Sequence, residues 1–339
     1  MFKNQVAEFI YKRTYSRWIE EENRREDWEE TIDRFLSFII SERPDIPEKT
    51  QNKIRKYMME FGVMPSMRFL WAAGPAAKAD NTCIYNCSFA KINNVEAFAE
   101  CLYILMCGTG FGFSVEQEEV SKLPEIPQIN SGQALKKVVI EDSKKGWADS
   151  VKTLMQSLYE GQNIYFDYSE IRLEGARLKT MGGRASGPQP LVKLHDFIRE
   201  TMHNAQGRQL TSLECHDICN QIAEIVVVGG VRRSSQISLS DLHDKDMRHA
   251  KEWPYPIKRA MANNSAIYRE KPSAGEFLSE WAALALSGTG ERGIFNLNAA
   301  QSKAPSRRYA PLIQGTNPCG EIMLRDMEFC NLSEVVVRE

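Results

Sequence analysis

The chain has 339 residues, of which 42% are hydrophobic and 26% charged, and its formal net charge is −2. This composition is typical of a globular protein with one large core or two smaller ones, and the charge predicts no general binding to nucleic acid or to membranes. The sequence contains no apolar run of about 18 residues and no signal peptide, so we expect a cytoplasmic protein.

The first part of the chain follows a helical pattern. Apolar residues recur at helical spacing in residues 6–10 and 32–39, residues 41–47 interrupt the pattern, and a further helix is predicted over residues 48–61. The charged run over residues 20–30 is interpreted as the solvated face of a helix. We therefore predict an N-terminal helical region over residues 1–66.

Residues 67–339 follow a different pattern, in which short apolar runs alternate with longer helical segments. The short runs lie at residues 111–115, 225–228 and 237–239, and a helical segment spans residues 95–106. Such alternation predicts an α/β architecture with largely parallel strands.

Eight cysteines in a chain expected in the cytoplasm indicate reactive or buried thiols rather than a disulfide framework. Cys83 and Cys87 are spaced C-x3-C, as are Cys215 and Cys219, and a zinc site could use these residues. On a predicted helix over residues 214–221, however, Cys215 and Cys219 share one face, which favours packing. The five histidines form no pattern typical of a catalytic base or a metal site, so we predict no metal ligands.

The segment Asn-Pro-Cys-Gly-Glu-Ile over residues 317–322 combines three useful functional groups. If it is extended, Asn317, Cys319 and Glu321 share one face, and Pro318 favours extended backbone at the residue before it. That face carries an amide to hold a hydroxyl, a sulfur for one- or two-electron chemistry, and a carboxylate to accept a proton. Taken alone, a Pro-Cys-Gly segment is more often a turn with a buried structural cysteine.

This segment, together with Phe-Cys-Asn-Leu-Ser-Glu around Cys330, resembles the active-site region of ribonucleotide reductases. The resemblance is to the monomeric, adenosylcobalamin-dependent ribonucleoside-triphosphate reductases of class II in particular. Further segments resemble that family in the expected order: FIYKRTYSRWIEEENRREDWEETIDRF, PSMRFLWAAG, CGTGFGFSVE, RLKTMGGRASGP, GGVRRSSQISLSD, MANNSAIY and ERGIFNLN.

The resemblance implies a ten-stranded α/β barrel made of two five-stranded halves, with a finger loop through its centre. Residues 67–339 would supply the first half-barrel and the finger loop that carries Cys319. Family members continue through a second half-barrel and a C-terminal cysteine pair. Either a second polypeptide completes the barrel, or these residues are a fragment of a longer chain.

The resemblance also implies a role for each residue. Cys319 would carry the thiyl radical that removes the 3′ hydrogen of a ribonucleotide, Glu321 would act as base on the 3′-hydroxyl, and Asn317 would orient the substrate hydroxyls. Cys87 and Cys330 would supply the electrons and become a redox-active disulfide. They lie 243 positions apart, so only a folded barrel can bring their Cα atoms within the roughly 4.4–6.8 Å that a disulfide needs.

Cofactor, substrate and partners follow from the same resemblance. We expect adenosylcobalamin as cofactor, a ribonucleotide (a triphosphate by analogy) as substrate, and thioredoxin or a similar dithiol as reductant. Gly110 and Gly112 would allow close backbone approach near the substrate. Arg184, Arg232 and Arg233 lie in glycine-rich loops suited to an effector deoxynucleotide, although surface turns with solvated arginines are the alternative.

Two other functions remain open. In a class I large subunit the catalytic residues would be the same, but a separate metalloprotein would generate the radical. A non-catalytic nucleotide-binding or scaffold remnant would need none of the thiols at Cys87, Cys319 and Cys330. Dependence of the activity on adenosylcobalamin would distinguish a class II enzyme from a class I large subunit. A remnant would keep its function when Cys330 is substituted, whereas a reductase would lose it.

Overall fold

The computed structural model describes residues 2–130, 137–176, 184–228 and 235–337. The chain divides into two compact units, of which the first contains Met1–Asn86 and Cys330–Glu339 and the second contains Cys87–Phe329. The boundary that we placed after residue 66, between a helical region and a half-barrel, stays a prediction.

The first unit is mainly helical. The helix predicted over residues 48–61 is confirmed as α3. The preceding helix, α2, is capped by Asp27, whose side chain accepts from the N–H of Glu30 while the Glu30 carboxylate accepts from the N–H of Asp27. Apolar side chains of that preceding helix form the centre of the core of this unit. The elements are α1 Gln5–Thr14, β1 Trp18–Ile19, β2 Arg24–Arg25, α2 Trp28–Glu42, α3 Glu48–Met59, β3 Val63–Pro65, α4 Met67–Ala72 and α5 Pro75–Ala79.

The interpretation of residues 20–30 as a solvated helix face was wrong. Strands β1 and β2 form an antiparallel hairpin here, and its turn includes Asn23 with a φ of 50°. Glu26 is only 6% exposed, pairs with Arg34 at 2.7 Å and accepts a hydrogen bond from Thr31. Asn23 tolerates left-handed backbone, so it allows the turn that interrupts the helical pattern. The ion pair with Arg34 makes the burial of the Glu26 charge possible.

The second unit is built on a six-stranded sheet with the order β10-β9-β8-β5-β4-β13. Its neighbouring strands from β10 to β4 are all parallel, which confirms the predicted α/β architecture. The elements are β4 Cys87–Lys91, α6 Val95–Met106, β5 Gly110–Ser114, α7 Gln117–Val120, β6 Lys137–Val139, α8 Lys144–Tyr159, β7 Tyr165–Asp167, α9 Gln189–Asn204, α10 Ser212–Val228, β8 Gln236–Asp241, α11 Lys245–Arg248, β9 Ala262–Tyr268, α12 Ala274–Leu286, β10 Gly293–Asn296, α13 Leu297–Ser302, β11 Gly315–Thr316, β12 Met323–Leu324 and β13 Glu328–Cys330.

Most of the predicted elements of this unit are confirmed. The helix over residues 95–106 is α6, and the runs at 111–115 and 237–239 lie in β5 and β8. The run at 225–228 is not a strand, because it forms the last turn of α10. A short apolar run fits a buried strand and a buried helix end equally well, so periodicity alone misassigned it.

Helices α6, α8, α9 and α10 pack with the central strands into one hydrophobic core. Phe111 and Phe113 of β5 point into this core and are fully buried. Side chains alternate along a strand, so the residues between them, Gly110 and Gly112, lie on the opposite face of the sheet. That face carries the β11–β12 hairpin.

The last strand of the chain belongs to the first unit. Strand β14 Ser333–Val335 pairs antiparallel with β3, with Ser333 opposite Pro65. In addition, the Val336 N–H donates to the carbonyl of Gly62 at 2.9 Å. These bonds tie residues 333–336 to the N-terminal helical unit.

Candidate active site

The segment over residues 317–322 is the tip of a β-hairpin between β11 and β12. The N–H of Gly320 donates to the carbonyl of Asn317 at 2.9 Å, and the N–H of Asn317 donates to the carbonyl of Ile322 at 3.1 Å. Gly320 has a φ of +84°, which glycine adopts without strain. The extended conformation predicted for this segment was therefore wrong, since Pro318 and Gly320 together favour a tight turn.

The turn places its three functional side chains in different environments. Asn317 is 1% exposed, and its Oδ1 accepts hydrogen bonds from the N–H of Ile322 at 3.0 Å and the hydroxyl of Thr316 at 3.3 Å. Cys319 and Glu321 are both exposed. The hairpin thus uses the Asn317 carbonyl oxygen to hold its own shape and presents a thiol and a carboxylate outward.

Glycines let the hairpin lie directly on strands β4 and β5. A Cβ atom on Gly112 would lie 2.2 Å from the carbonyl oxygen of Thr316, and one on Gly315 would lie 2.1 Å from the ring of Phe89. These distances are far below van der Waals contact, so any side chain at either position would displace the hairpin. The backbone of the hairpin therefore packs against the backbone and aromatic side chains of the sheet.

Cys87 belongs to the same packed region. A Cβ atom on Gly110 would lie 3.0 Å from the sulfur of Cys87 and 3.1 Å from Cγ of Pro318. Cys87 and Gly110 are register partners at the start of β4 and β5. The structure thus gathers Cys87, both predicted glycines and the Asn317–Glu321 turn at one end of the parallel strands.

Of the remaining predicted residues, the structure describes Cys330 and Arg184. Cys330 is 6% exposed, and its carbonyl accepts a hydrogen bond from the N–H of Asn86 at 3.0 Å within the first unit. The side chain of Arg184 is exposed and donates to the carbonyl of Gly175 at 2.9 Å. Arg232 and Arg233 lie outside the described residues. The pairing of Cys87 with Cys330 and the role of the arginines stay predictions.

A cavity beside the hairpin was not predicted from the sequence. It has a volume of about 430 Å³ and is lined by residues of β10, α13, the segment over residues 303–308 and the hairpin itself, including Gly320. Arg308 donates to the carbonyl of Met323 at 2.7 Å and contacts Glu328 at 3.2 Å, so it fixes one wall of the cavity. The only sequence signal for it is the basic character of Lys303, Arg307 and Arg308, which alone is typical of any surface loop.

A buried carboxylate lies just after β5, beyond the end of the strand opposite to Cys87. Glu116 is 2% exposed and pairs with Arg269 at 2.6 Å, and burial raises the pKa of its carboxyl. It also accepts a hydrogen bond from Ser114 at 2.9 Å. Gly110 lies at the first end of β5 and Glu116 lies beyond its last residue, so the two are at opposite ends of the strand. We therefore assign Glu116 a structural role in the sheet.

Two thiols and two histidines elsewhere in the second unit, those of Cys215, Cys219, His195 and His216, are packing residues. Cys215 and Cys219 are fully buried, as predicted, and burial raises the pKa of both thiols, which makes them unreactive. Burial also lowers the pKa of His195 and His216 to about 3, so both are neutral. Within the described ranges, no cluster of three or more metal-ligand side chains is present. No helix in the described part of the chain has the length and apolar character needed to cross a membrane.

Two protein-family models match this chain. The ribonucleotide reductase alpha domain matches residues 1–75, and the insertion domain of B12-dependent ribonucleotide reductase matches residues 126–202. The second match contains β6, α8 and β7, and the β6–β7 pair forms a parallel sheet separate from the six-stranded one.

Similar full-length proteins are adenosylcobalamin-dependent ribonucleoside-triphosphate reductases. Those of Lactobacillus helveticus (strain DPC 4571) and Lactobacillus leichmannii are 29% and 27% identical to this chain, and each match covers 96% of it. The same matches cover 54% and 53% of the two relatives. The chain therefore spans about half the length of the curated relatives it matches.

The crystal structure of a B12-dependent, class II ribonucleotide reductase matches with a TM-score of 0.84 at 26% identity, over 96% of this chain and 55% of that one. The chain matches the N-terminal part of the class II ribonucleotide reductases. The class Id alpha subunit of Actinobacillus ureae has a TM-score of 0.55 at 12% identity, which indicates a shared fold alone. The insertion-domain match favours class II over the class I alternative.

Proposed function

We propose that this chain is the hairpin-bearing part of an adenosylcobalamin-dependent reductase that converts ribonucleoside triphosphates to 2′-deoxyribonucleotides. One observation carries the proposal: the turn that exposes Cys319 and Glu321 is packed, through Gly112 and Gly315, on the strands where Cys87 lies. The relatives named for this activity match almost the whole chain.

In the proposed reaction, a thiyl radical on Cys319 takes the 3′ hydrogen atom of the ribose while Glu321 accepts the proton of the 3′-hydroxyl. The 2′-hydroxyl then leaves as water. Cys87 and Cys330 supply two electrons and two protons, and Cys319 returns the 3′ hydrogen. One ribonucleotide and two thiols thus yield one deoxyribonucleotide, one water and one disulfide.

The exposed hairpin tip fits the chemistry of the proposed cofactor. When bound, adenosylcobalamin supplies an organic radical through homolysis of its cobalt–carbon bond. Cys319 is the residue that would face this group, because its thiol is exposed at the tip of a turn held in shape by Asn317. Because the hairpin packs closely on the sheet, it would keep the Cys319 sulfur in one position for the substrate.

A local contact supports Cys87 and Cys330 as the reducing pair. The residue just before Cys87, Asn86, donates its N–H to the carbonyl of Cys330, and its side-chain oxygen accepts from the N–H of Leu332 at 3.1 Å. These two bonds hold the backbone around Cys330 next to the chain that leads into Cys87. The proposed disulfide needs a Cα separation of about 4.4–6.8 Å.

The fold supports a half-barrel. Strands β4, β5, β8, β9 and β10 form a run of parallel neighbours, the number expected for one half of a ten-stranded barrel with the hairpin as its finger loop. We propose that a second polypeptide, or a later segment of the same chain, supplies the other half. A thioredoxin-like dithiol would reduce the disulfide. An effector deoxynucleotide would bind near Arg184, Arg232 and Arg233. The enzyme would act in the cytoplasm.

The test is a ribonucleotide reduction assay on the assembly isolated from its source, with a dithiol and with or without adenosylcobalamin. We expect deoxynucleotide only with the cofactor, none from Cys319→Ser, and a wild-type amount from the buried control Cys215→Ser. Product without the cofactor would indicate a class I enzyme. No product from an intact assembly would indicate a non-catalytic protein.

A further inference from the structure

Asn86, the residue just before Cys87, makes two hydrogen bonds to the segment that carries Cys330. Its N–H donates to the carbonyl of Cys330 at 3.0 Å, and its Oδ1 accepts from the N–H of Leu332 at 3.1 Å. The first bond needs only a backbone N–H, which every residue except proline supplies. The second bond needs an oxygen acceptor on the side chain. The identity of residue 86 is therefore used to hold Leu332.

The chain after Leu332 is attached at a different place. Strand β14 begins at Ser333 and pairs with β3. Asn86 and residues 330–332 belong to the same compact unit as these two strands. The Asn86 side chain thus holds the stretch that lies between Cys330 and the β14–β3 pair.

This position of Asn86 matters for a pair of thiols. The Cα atom of Cys87 is about 3.8 Å from that of Asn86, so a segment held on Asn86 is also held close to Cys87. A disulfide forms only when its two Cα atoms lie about 4.4–6.8 Å apart. Contacts that restrict two reacting groups to such a range raise their effective concentration, and with it the equilibrium constant for bond formation. The hold on Leu332 therefore favours a disulfide that includes Cys330.

We propose that Asn86 is a positioning residue for the reducing thiols, and that the hydrogen bond from the Leu332 N–H to its Oδ1 keeps Cys330 where it forms a disulfide with Cys87. This inference rests on the proposed function, in which these two cysteines supply the electrons. Asn86 itself takes no part in the electron transfer. Without its Oδ1, residues 330–332 gain conformational freedom, so the two free thiols are favoured over the disulfide.

The test measures the disulfide equilibrium in the assembly isolated from its source, without substrate or cofactor. Glutathione is the redox partner: the thiols of Cys87 and Cys330 and one oxidised glutathione give one protein disulfide and two reduced glutathione molecules. Acid quenching, alkylation and mass spectrometry give the fraction of disulfide at each glutathione ratio. We expect Asn86→Ala to lower the equilibrium constant about three- to tenfold, because one hydrogen bond is lost. A tenfold decrease corresponds to a reduction potential about 30 mV less negative.

Three further variants complete the test. Asn86→Asp keeps an oxygen acceptor, so we expect its equilibrium constant to lie within about twofold of the wild-type value. Asn331→Ala makes the alanine substitution at an exposed neighbour of Cys330 and should leave the constant unchanged. Asn86→Leu lacks the acceptor but keeps the volume of the side chain, so it repeats the measurement if circular dichroism shows that Asn86→Ala does not fold.

The outcomes separate the positioning role from the proposed activity. A wild-type constant in Asn86→Ala or Asn86→Leu, or a constant in Asn86→Asp as low as in the alanine variant, would overturn the positioning role. A wild-type assembly that forms no Cys87–Cys330 disulfide at any glutathione ratio would overturn that role together with the proposed reducing pair. A constant that depends on Asn86 in an assembly that makes no deoxynucleotide would remove the proposed activity alone.

Discussion

Gly112 lies so close to Thr316 that a Cβ atom at position 112 would stand 2.2 Å from the carbonyl oxygen of Thr316. The first residue lies in a central strand and the second in the hairpin that carries Cys319. The position of the exposed thiol therefore depends on the absence of a side chain at a residue 204 positions earlier in the sequence than Thr316. This dependence can be tested without knowledge of the substrate.

Substitution of Gly112 by alanine should displace the hairpin. We expect Gly112→Ala to lower the free energy of unfolding by about 1–3 kcal/mol, because the backbone of Thr316 has to move. The control is Gly275→Ala in α12, where nothing lies within 4 Å and alanine favours the helix. Urea unfolding of both variants measures the effect. Equal stability of the two would show that the hairpin does not rest on Gly112.

Cys319 should be the most reactive thiol of the eight. It is the exposed one, Cys87 is half-buried, and the remaining six are buried. We expect iodoacetamide to modify Cys319 at least about tenfold faster than Cys215 or Cys219, whose pKa values are raised by burial. Timed alkylation of the native protein followed by peptide mass spectrometry measures the rates. Faster labelling of Cys215 would contradict the placement of the turn.

Acid should weaken the fold through His195. Burial lowers the pKa of this imidazole to about 3, while Ser150 and Tyr168 hold its two ring nitrogens at 3.0 and 2.8 Å. In the unfolded chain a histidine titrates near about 6.5. The unfolded state therefore binds more protons between these values, so the contribution of His195 is complete above about pH 6.5 and is lost as the pH falls toward 3.

The variant His195→Gln tests this pH dependence, because glutamine keeps hydrogen-bonding groups but does not titrate. We expect the variant to be less stable than wild type at pH 7 and the difference to shrink as the pH is lowered from about 6.5 to about 4. Urea unfolding at several pH values measures it. A difference that stays constant over this range would contradict the neutral, buried state of the ring.

Local signals predicted much of the fold. Helix α6 begins and ends where its pattern does, and Asn94 caps it by accepting a hydrogen bond from Ala97. The predicted strands at β5 and β8 are also confirmed, because short apolar runs between turn residues fit buried strands. The end of α10 was misassigned because the same kind of run fits a helix equally well.

Features that depend on distant partners were not predictable in this way. The burial of Glu26 requires Arg34 and Thr31, which no local pattern reveals. The turn at Cys319 closes through a bond between Asn317 and Ile322 that exists only once β11 and β12 pair. The residues of the candidate site were named by resemblance, whereas their arrangement required the structure.

The pairing of Cys87 with Cys330 is the central claim that can be measured most directly. The assembly from its source, reduced and then freed of external dithiol, would be mixed with a ribonucleoside triphosphate and adenosylcobalamin, and its disulfides mapped by mass spectrometry. The account predicts one Cys87–Cys330 disulfide for each deoxynucleotide formed, and neither product in Cys319→Ser. Deoxynucleotide formed while Cys87 and Cys330 remain reduced would contradict it.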